Sequence, residues 1–171
     1  MNKPAWTPHV TVATLVEKDG KFLMIEEKIN GEVVLNQPAG HWEANESLMQ
    51  AAVRETLEEA GWDVLITGLV GIYEYQPPGQ NFTFLRFAFA AKAVQHHPER
   101  VLDEGIERTL WMSLQEIKAV SWMHRSPMVQ QCAEDYWMSK RYPLNLINHL
   151  SRKDEKTAAP ESDSGFTLVR V

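Results

Sequence analysis

The chain has 171 residues, 44% of them hydrophobic and 23% charged, an ordinary globular mix at a length that suits one domain with a real core. Its formal net charge of −6 sets the average surface potential against a nucleic-acid backbone, which excludes a DNA or RNA reader, while a small anionic substrate needs a local reversal of field such as a divalent cation supplies. One cysteine, Cys132, excludes an intrachain disulfide, and no apolar run has signal-peptide character or approaches the roughly 20 residues of a membrane span. The chain is therefore read as cytoplasmic, with no membrane partner, and as either a monomer or a homodimer.

The elements follow in chain order. His9 to Glu17 reads as a strand, Asp19-Gly20 as a hairpin turn and Phe22 to Glu26 as the return strand. Asn30-Gly31 marks another turn, Val33 to Leu35 a short strand, and Gln37-Pro38-Ala39-Gly40 a break. A helix is expected from about Asn45, which can cap it, to Ala60, with Gly61 as a left-handed C-terminal cap. Val64 to Tyr75 reads as one or two strands interrupted at Gly68 and Gly71, Pro77-Pro78-Gly79 as a loop, and Asn81 to Val94 as the most strand-like run. After a loop from His96 to Asp103 come a short strand from Arg108 to Met112, a short helix capped by Ser113, and a last helix from Pro127 to Met138. Residues 1–150 are read as one domain. From about Ser151 on, Ser, Lys, Asp, Glu, Ala and Pro dominate, so residues 151–171 are expected to form a disordered tail.

The chemistry is concentrated in Arg54-Glu55-Thr56-Leu57-Glu58-Glu59-Ala60-Gly61. At about 100° per residue, Glu55, Glu58 and Glu59 share one side of the helix. Met49, Val53, Leu57 and Ala60 form a separate apolar side, and Leu48, Ala51 and Ala52 lie on the carboxylate side. Like charges one turn apart repel by a few tenths of a kcal/mol (~0.2–0.5) per pair, and acids at a helix C-terminus oppose its dipole by a further ~0.3–1 kcal/mol each. An acidic run alone is more commonly a solvated face. Here a cation offsets every broken rule at once. Mg²⁺ takes hard carboxylate oxygens and completes its shell with water and phosphate, and Mn²⁺ suits the same ligands. Arg54 reaches Glu58 at i+4.

The wider pattern is Gly40, five residues, Glu46, seven residues, Arg54-Glu55, two residues, Glu58-Glu59, one residue, Gly61 and then Trp62. It resembles the Nudix box, the signature of the Nudix hydrolases, with every fixed charged and glycine position matched. The one departure is Thr56, where the family usually carries an aliphatic residue. The resemblance implies an α/β/α sandwich with a mixed β-sheet, in the broad α/β (α+β) class. It implies that Glu55, Glu58 and Glu59 bind Mg²⁺, that the Gly40 carbonyl adds a ligand, that Arg54 orients a glutamate, and that Glu46 fixes the loop–helix geometry. It further implies hydrolysis of a phosphoanhydride in a diphosphate linked to another group. For the general base, Glu58 and Glu59 are candidates, and so are Glu104 and Glu107 with their neighbour Asp103, in a segment that family members often bring to the metal.

Beyond the box, His9-Val10-Thr11-Val12-Ala13, Asn36-Gln37-Pro38-Ala39-Gly40-His41, Phe84-Leu85-Arg86-Phe87, Arg125-Ser126-Pro127 and Arg141-Tyr142-Pro143-Leu144 resemble a bacterial phosphatase branch of the family. That branch acts on nucleoside di- and triphosphates and on the thiamine precursor hydroxymethylpyrimidine diphosphate. Arg86 is the candidate for a substrate phosphate, since arginine suits that geometry, with Lys28 second. Tyr75, Tyr73, Phe82 and Trp42 are candidates to stack on a ring. Pro77, fifteen residues beyond Trp62, resembles a marker of ADP-ribose pyrophosphatases and keeps that enzyme as an alternative. A catalytically silent nucleotide sensor is the alternative of another class.

Overall fold

The computed structural model describes residues 6–150; the expected tail lies outside them. Its first hairpin follows from Asp19-Gly20, both at positive φ (53° and 77°), the backbone that a two-residue turn between twisted strands requires. Glu17 closes the turn by accepting the Gly20 N–H at 2.7 Å. The turn joins β1 (His9–Lys18) to β2 (Lys21–Ile29). Asn30-Gly31 repeats the device and returns the chain as β3 (Glu32–Asn36).

The break expected at residues 37–40 is shorter than the composition suggests. Ala39–His41 forms a strand, β4, antiparallel to β1, with Thr11 opposite His41 and Ala13 opposite Ala39. Only Gln37 and Pro38 lie between the two strands, and the Pro38 carbonyl still accepts from Thr14 N–H at 3.0 Å.

Helix α1 spans Leu48–Ala60, and its cap is Ser47 rather than Asn45. Ser47 and Gln50 form a reciprocal capping box, while Asn45 serves the preceding turn at φ 70°. Gly61 ends the helix as expected, left-handed at φ 68°, its N–H donating to the Leu57 carbonyl.

Then come β5 (Trp62–Tyr75), β6 (Phe84–His96), β7 (Ile106–Met112), α2 (Leu114–Ala119) and α3 (Met128–Trp137). Gly68 and Gly71 do not split β5. They mark register shifts against β6, as glycines in strands commonly do. Short 3₁₀ turns stand at Ser121–Met123 and Leu144–Leu146.

The seven strands form one mixed sheet in the order β3-β2-β1-β6-β5, with β4 added on β1 and β7 on β2. β1 and β6 are parallel; the remaining pairings are antiparallel. Residues Thr11 to Val16 of β1 are all buried, the mark of a strand covered on both faces. Alternation divides those faces. Val12, Val16, Phe89 and Ala91 pack toward α1 with Ala51, Ala52 and Ala60. Leu15, Ala88 and Ala90 pack toward α2 and α3 with Ile117, Val129 and Cys132. The result is the expected α/β/α sandwich. Among the described residues, no helix is long and apolar enough to cross a membrane.

Candidate active site

The packing of α1 covers the carboxylate side, as Leu48, Ala51 and Ala52 beside the glutamates imply, and covers it more fully than the separate apolar side. Its buried residues are Ala51, Ala52, Glu55, Thr56 and Ala60, so the carboxylate side faces the sheet, and Met49, Val53 and Leu57 are only half-buried. Small alanines let the helix approach closely and carry Glu55 and Glu59 into the interior behind them. Thr56 explains its own departure from the aliphatic pattern. It is fully buried, its hydroxyl donates to the Ala52 carbonyl at 2.7 Å and meets the Thr14 hydroxyl at 2.8 Å. A polar side chain on β1 thus has its partner on the helix.

Arg54 is the hub of the site. Its Nε and Nη2 grip both oxygens of Glu46 at 3.0 and 2.8 Å. Nη1 reaches Glu55 at 2.8 Å and Glu58 at 3.0 Å, and Nη2 also donates to the His41 carbonyl at 3.0 Å. One guanidinium therefore ties helix to loop through three carboxylates, a use that a lysine could not fill. Glu46 accepts the Glu43 N–H as well, and Arg54 holds its pKa below the usual carboxylate value.

Glu59 stands apart from Arg54 and accepts the Ala39 N–H at 2.7 Å. Burial pushes its pKa up to about 8, and the negative charges of Glu55, Glu27 and Asp103 add to the effect. Burial likewise raises Glu55, against the pull of Arg54. At residue 40 a Cβ would overlap the Glu55 carboxylate where it stands, so a side chain there would have to push Glu55 off its place beside Arg54. Among the described residues, no three His, Cys, Asp or Glu side chains enclose a common point as arranged; Arg54 draws Glu55 and Glu58 to itself.

Gly40, Glu55 and Glu59 open on a cavity of about 590 Å³, while Arg54, Glu46 and the sequence candidate Glu58 do not line it. Glu55, Glu59, Gly40 and His41 line it from the loop and helix, Arg86 and Arg125 contribute positive charge, and Tyr75, Pro77, Phe82 and Phe84 form an aromatic and apolar wall. Burial and the nearby charges of His9 and Arg125 hold the His41 pKa below its usual value.

The remaining sequence candidates separate cleanly. Arg86, Tyr75 and Phe82 line the cavity. Lys28 is exposed and outside it, since its place on β2 is next to the inward-facing Glu27. Glu104 and Glu107 are exposed, in the turn before β7 and on β7, and neither borders the cavity. Asp103 is better placed, because its N–H donates to the Glu58 carbonyl and its charge is felt at Glu55 and Glu59. Trp42 is exposed and spends its indole N–H on the Glu46 carbonyl. Tyr73 donates to Asp135 on α3 and does not line the cavity. Sequence reading assigned no role to Glu27, Arg125 and Ser126, which do line it. The triplet Arg125-Ser126-Pro127 stood out as a motif; only the fold shows what it faces.

Comparison with known proteins agrees with this architecture. Residues 6–132 match the NUDIX domain. The chain is 42% identical over 140 residues to Phosphatase NudJ of Escherichia coli (strain K12), covering 82% of this chain and 90% of that one. It superposes on a NUDIX hydrolase from Nitrosomonas europaea with a TM-score of 0.82 and 47% identity, covering 84% and 98% of the two chains. An ADP-ribose pyrophosphatase from Streptococcus suis shares the fold, with a TM-score of 0.60 at 17% identity and coverage of 80% and 96%. The box on α1, the mixed-sheet sandwich and these similarities together place the chain in the Nudix family, as a Nudix hydrolase.

Proposed function

We propose that the chain uses Mg²⁺ to hydrolyse a phosphoanhydride bond in nucleoside di- and triphosphates and in hydroxymethylpyrimidine diphosphate. The observation that carries this reading is one cavity holding a buried and a half-buried carboxylate, Glu55 and Glu59, together with two arginines, Arg86 and Arg125. A diphosphate–metal complex carries both signs of charge and matches such a cavity; neither a free anion nor a free cation does.

The donor set fits the ion. Glu55, Glu58, Glu59 and the Gly40 carbonyl offer hard oxygens only, and the raised pKa of Glu59 marks a buried carboxylate short of positive charge. The ion and Arg54 would share Glu55 and Glu58. When bound, Mg²⁺ would polarise the phosphoryl oxygens and make water acidic enough to attack phosphorus at neutral pH.

The protein's own residues do the positioning. Arg54 sets the glutamates against the loop. Glu59, which lines the cavity and accepts the Ala39 N–H, is the best-placed group to take a proton from the attacking water. Tyr75, Phe82 and Phe84 offer a wall for a pyrimidine or purine ring. The relative named a phosphatase, NudJ, supports the choice of substrates. Pro77 on the cavity wall keeps ADP-ribose in the test.

The test is a substrate panel read by product identity with and without Mg²⁺. Metal-dependent release of phosphate from nucleoside di- and triphosphates and from hydroxymethylpyrimidine diphosphate is expected. Preferred cleavage of ADP-ribose would favour the pyrophosphatase reading, and absence of turnover on every diphosphate would favour a sensor.

A further inference from the structure

Four buried side-chain atoms among the described residues lack a hydrogen-bond partner: Thr11 Oγ1, Gln37 Oε1, Arg86 Nε and Ser126 Oγ. Thr11, Arg86 and Ser126 line the same cavity. Buried polar groups are nearly always satisfied, so three orphans in one cavity point to an absent ligand.

Arg86 is the clearest of them. It is 5% exposed, yet it forms no ion pair among the described residues. Its hydrogen bond from Nη1 to Asn36 Oδ1 is long at 3.5 Å, and its other side-chain contact is the weakly accepting Cys132 thiol. The neighbouring arginines are occupied, Arg54 by three glutamates and Arg125 by Glu27 at 3.0 Å. Burial depresses the Arg86 pKa, but a guanidinium keeps its charge in proteins. Glu27 and Glu59 act on it only from beyond ion-pair distance, and a buried cation without a direct partner is costly, a cost that an anionic ligand would offset.

The fold brings the three groups to one cavity. Thr11 and Arg86 are register partners on parallel β1 and β6, and Ser126 stands at the entry to α3. Cys132 on α3, which acts on Arg86, is 0% exposed. A second cavity shares Tyr75, Arg125 and Ser126 but includes neither Arg86 nor Thr11.

We infer that Arg86, with the hydroxyls of Thr11 and Ser126, forms an anion subsite in the cavity that receives the terminal, free phosphoryl group of the diphosphate. The guanidinium and two hydroxyls match the oxygens of a phosphate. A terminal phosphoryl group offers one more free oxygen and more negative charge than one substituted on both sides, so substrates with a free phosphate end are selected over diphosphates substituted at both ends. This inference rests on the diphosphate-hydrolase reading above and names its substrate class.

The test uses the full chain, Arg86→Met, and the double variant Thr11→Val with Ser126→Ala. Inorganic phosphate, at constant ionic strength made up with chloride, should raise the melting temperature of the wild type by binding the folded state. That shift should vanish in Arg86→Met, whose melting temperature without phosphate should equal or exceed the wild type's. KM for a nucleoside diphosphate should rise about 10- to 100-fold, the size of one charge-assisted hydrogen bond lost from an anion. The ratio of kcat/KM for the nucleoside diphosphate over a dinucleoside diphosphate should fall with it. An unchanged phosphate shift, KM or substrate ratio would overturn the subsite, as would a lowered melting temperature with normal kinetics, which marks a structural arginine. If Arg86→Met does not fold, the double variant decides: a reduced phosphate shift and a raised KM support the subsite, and unchanged values reject it. Failure of the parent reading looks different, because a wild type with no turnover on any diphosphate still shows or lacks the phosphate shift.

Discussion

Glu59 carries two properties that pull in opposite directions, and both follow from where α1 sets it. Burial makes its charge costly, while its single close partner, the Ala39 N–H, stabilises that charge only in part. Glu59→Gln keeps the shape and removes the charge. Turnover should fall by about 10²–10⁴-fold, the range for losing a general base, while the variant stays folded by circular dichroism; near-normal turnover would remove Glu59 from the chemistry. Glu104→Gln and Glu107→Gln should each change stability by no more than ~0.5 kcal/mol, as exposed substitutions do, and should leave turnover near the wild-type rate. At this scale the sequence is informative where spacing along one helix brings groups together, as with Arg54, Glu55, Glu58 and Glu59. It is uninformative for Glu27, Arg125 and Ser126, which reach the cavity from β2 and from the start of α3. Only sheet pairing makes them neighbours, and no local pattern encodes that.

Helix α1 shows what an element can and cannot announce. Its C-terminal end was legible because a left-handed residue after an acidic turn leaves few choices other than Gly61. Its start was not, because Asn45 and Ser47 are both good caps and the loop decides between them: Asn45 is needed at φ 70° in the turn. Its buried side was legible in part: Leu48, Ala51 and Ala52 beside the carboxylates imply cover there, as observed, while the stronger hydrophobic signal of Met49, Val53 and Leu57 belongs to a side that is only half-buried. β4 was missed for a related reason, since a three-residue strand has too few residues to display a period. Two substitutions separate scaffold from chemistry here. Ser47→Ala should cost about 1 kcal/mol through the lost cap. Thr56→Val removes a buried hydroxyl and strands that of Thr14, so it should cost about 1–3 kcal/mol. Denaturant melts check both, and kcat should stay near normal in each, since neither side chain lines the cavity. A large kcat loss in Thr56→Val at full stability would show that the Thr14 contact positions the glutamates directly.

In the molecule as a whole, folding should be coupled to the protonation of this one cavity and, on the proposed reading, to the metal it would hold. The sandwich buries α1 against β1 and β5, and so forces acidic groups into a low-dielectric space that an isolated helix would avoid. Glu59 titrates near pH 4.5 when unfolded and at about 8 when folded, so the folded state binds its proton more tightly. Its contribution to stability is therefore fully present below about pH 4.5 and is lost as pH rises through about 8. Glu55, raised in the same direction, adds to the trend, while Glu46, lowered by Arg54, opposes it only at acid pH, where its own proton returns. Across the interval between about 4.5 and 8, the metal-free protein should lose melting temperature on account of Glu59, and Glu59→Gln should flatten the curve. A divalent cation at the carboxylates must displace that proton, so the stabilisation by Mg²⁺ should grow with pH over the same interval. Thermal melts at fixed ionic strength, with a chelator or with saturating Mg²⁺, read both curves. Parallel curves would separate Glu59 from the metal. Curves that diverge as pH rises in the wild type and stay parallel in Glu59→Gln would join the buried carboxylate, the cation and the fold in one equilibrium.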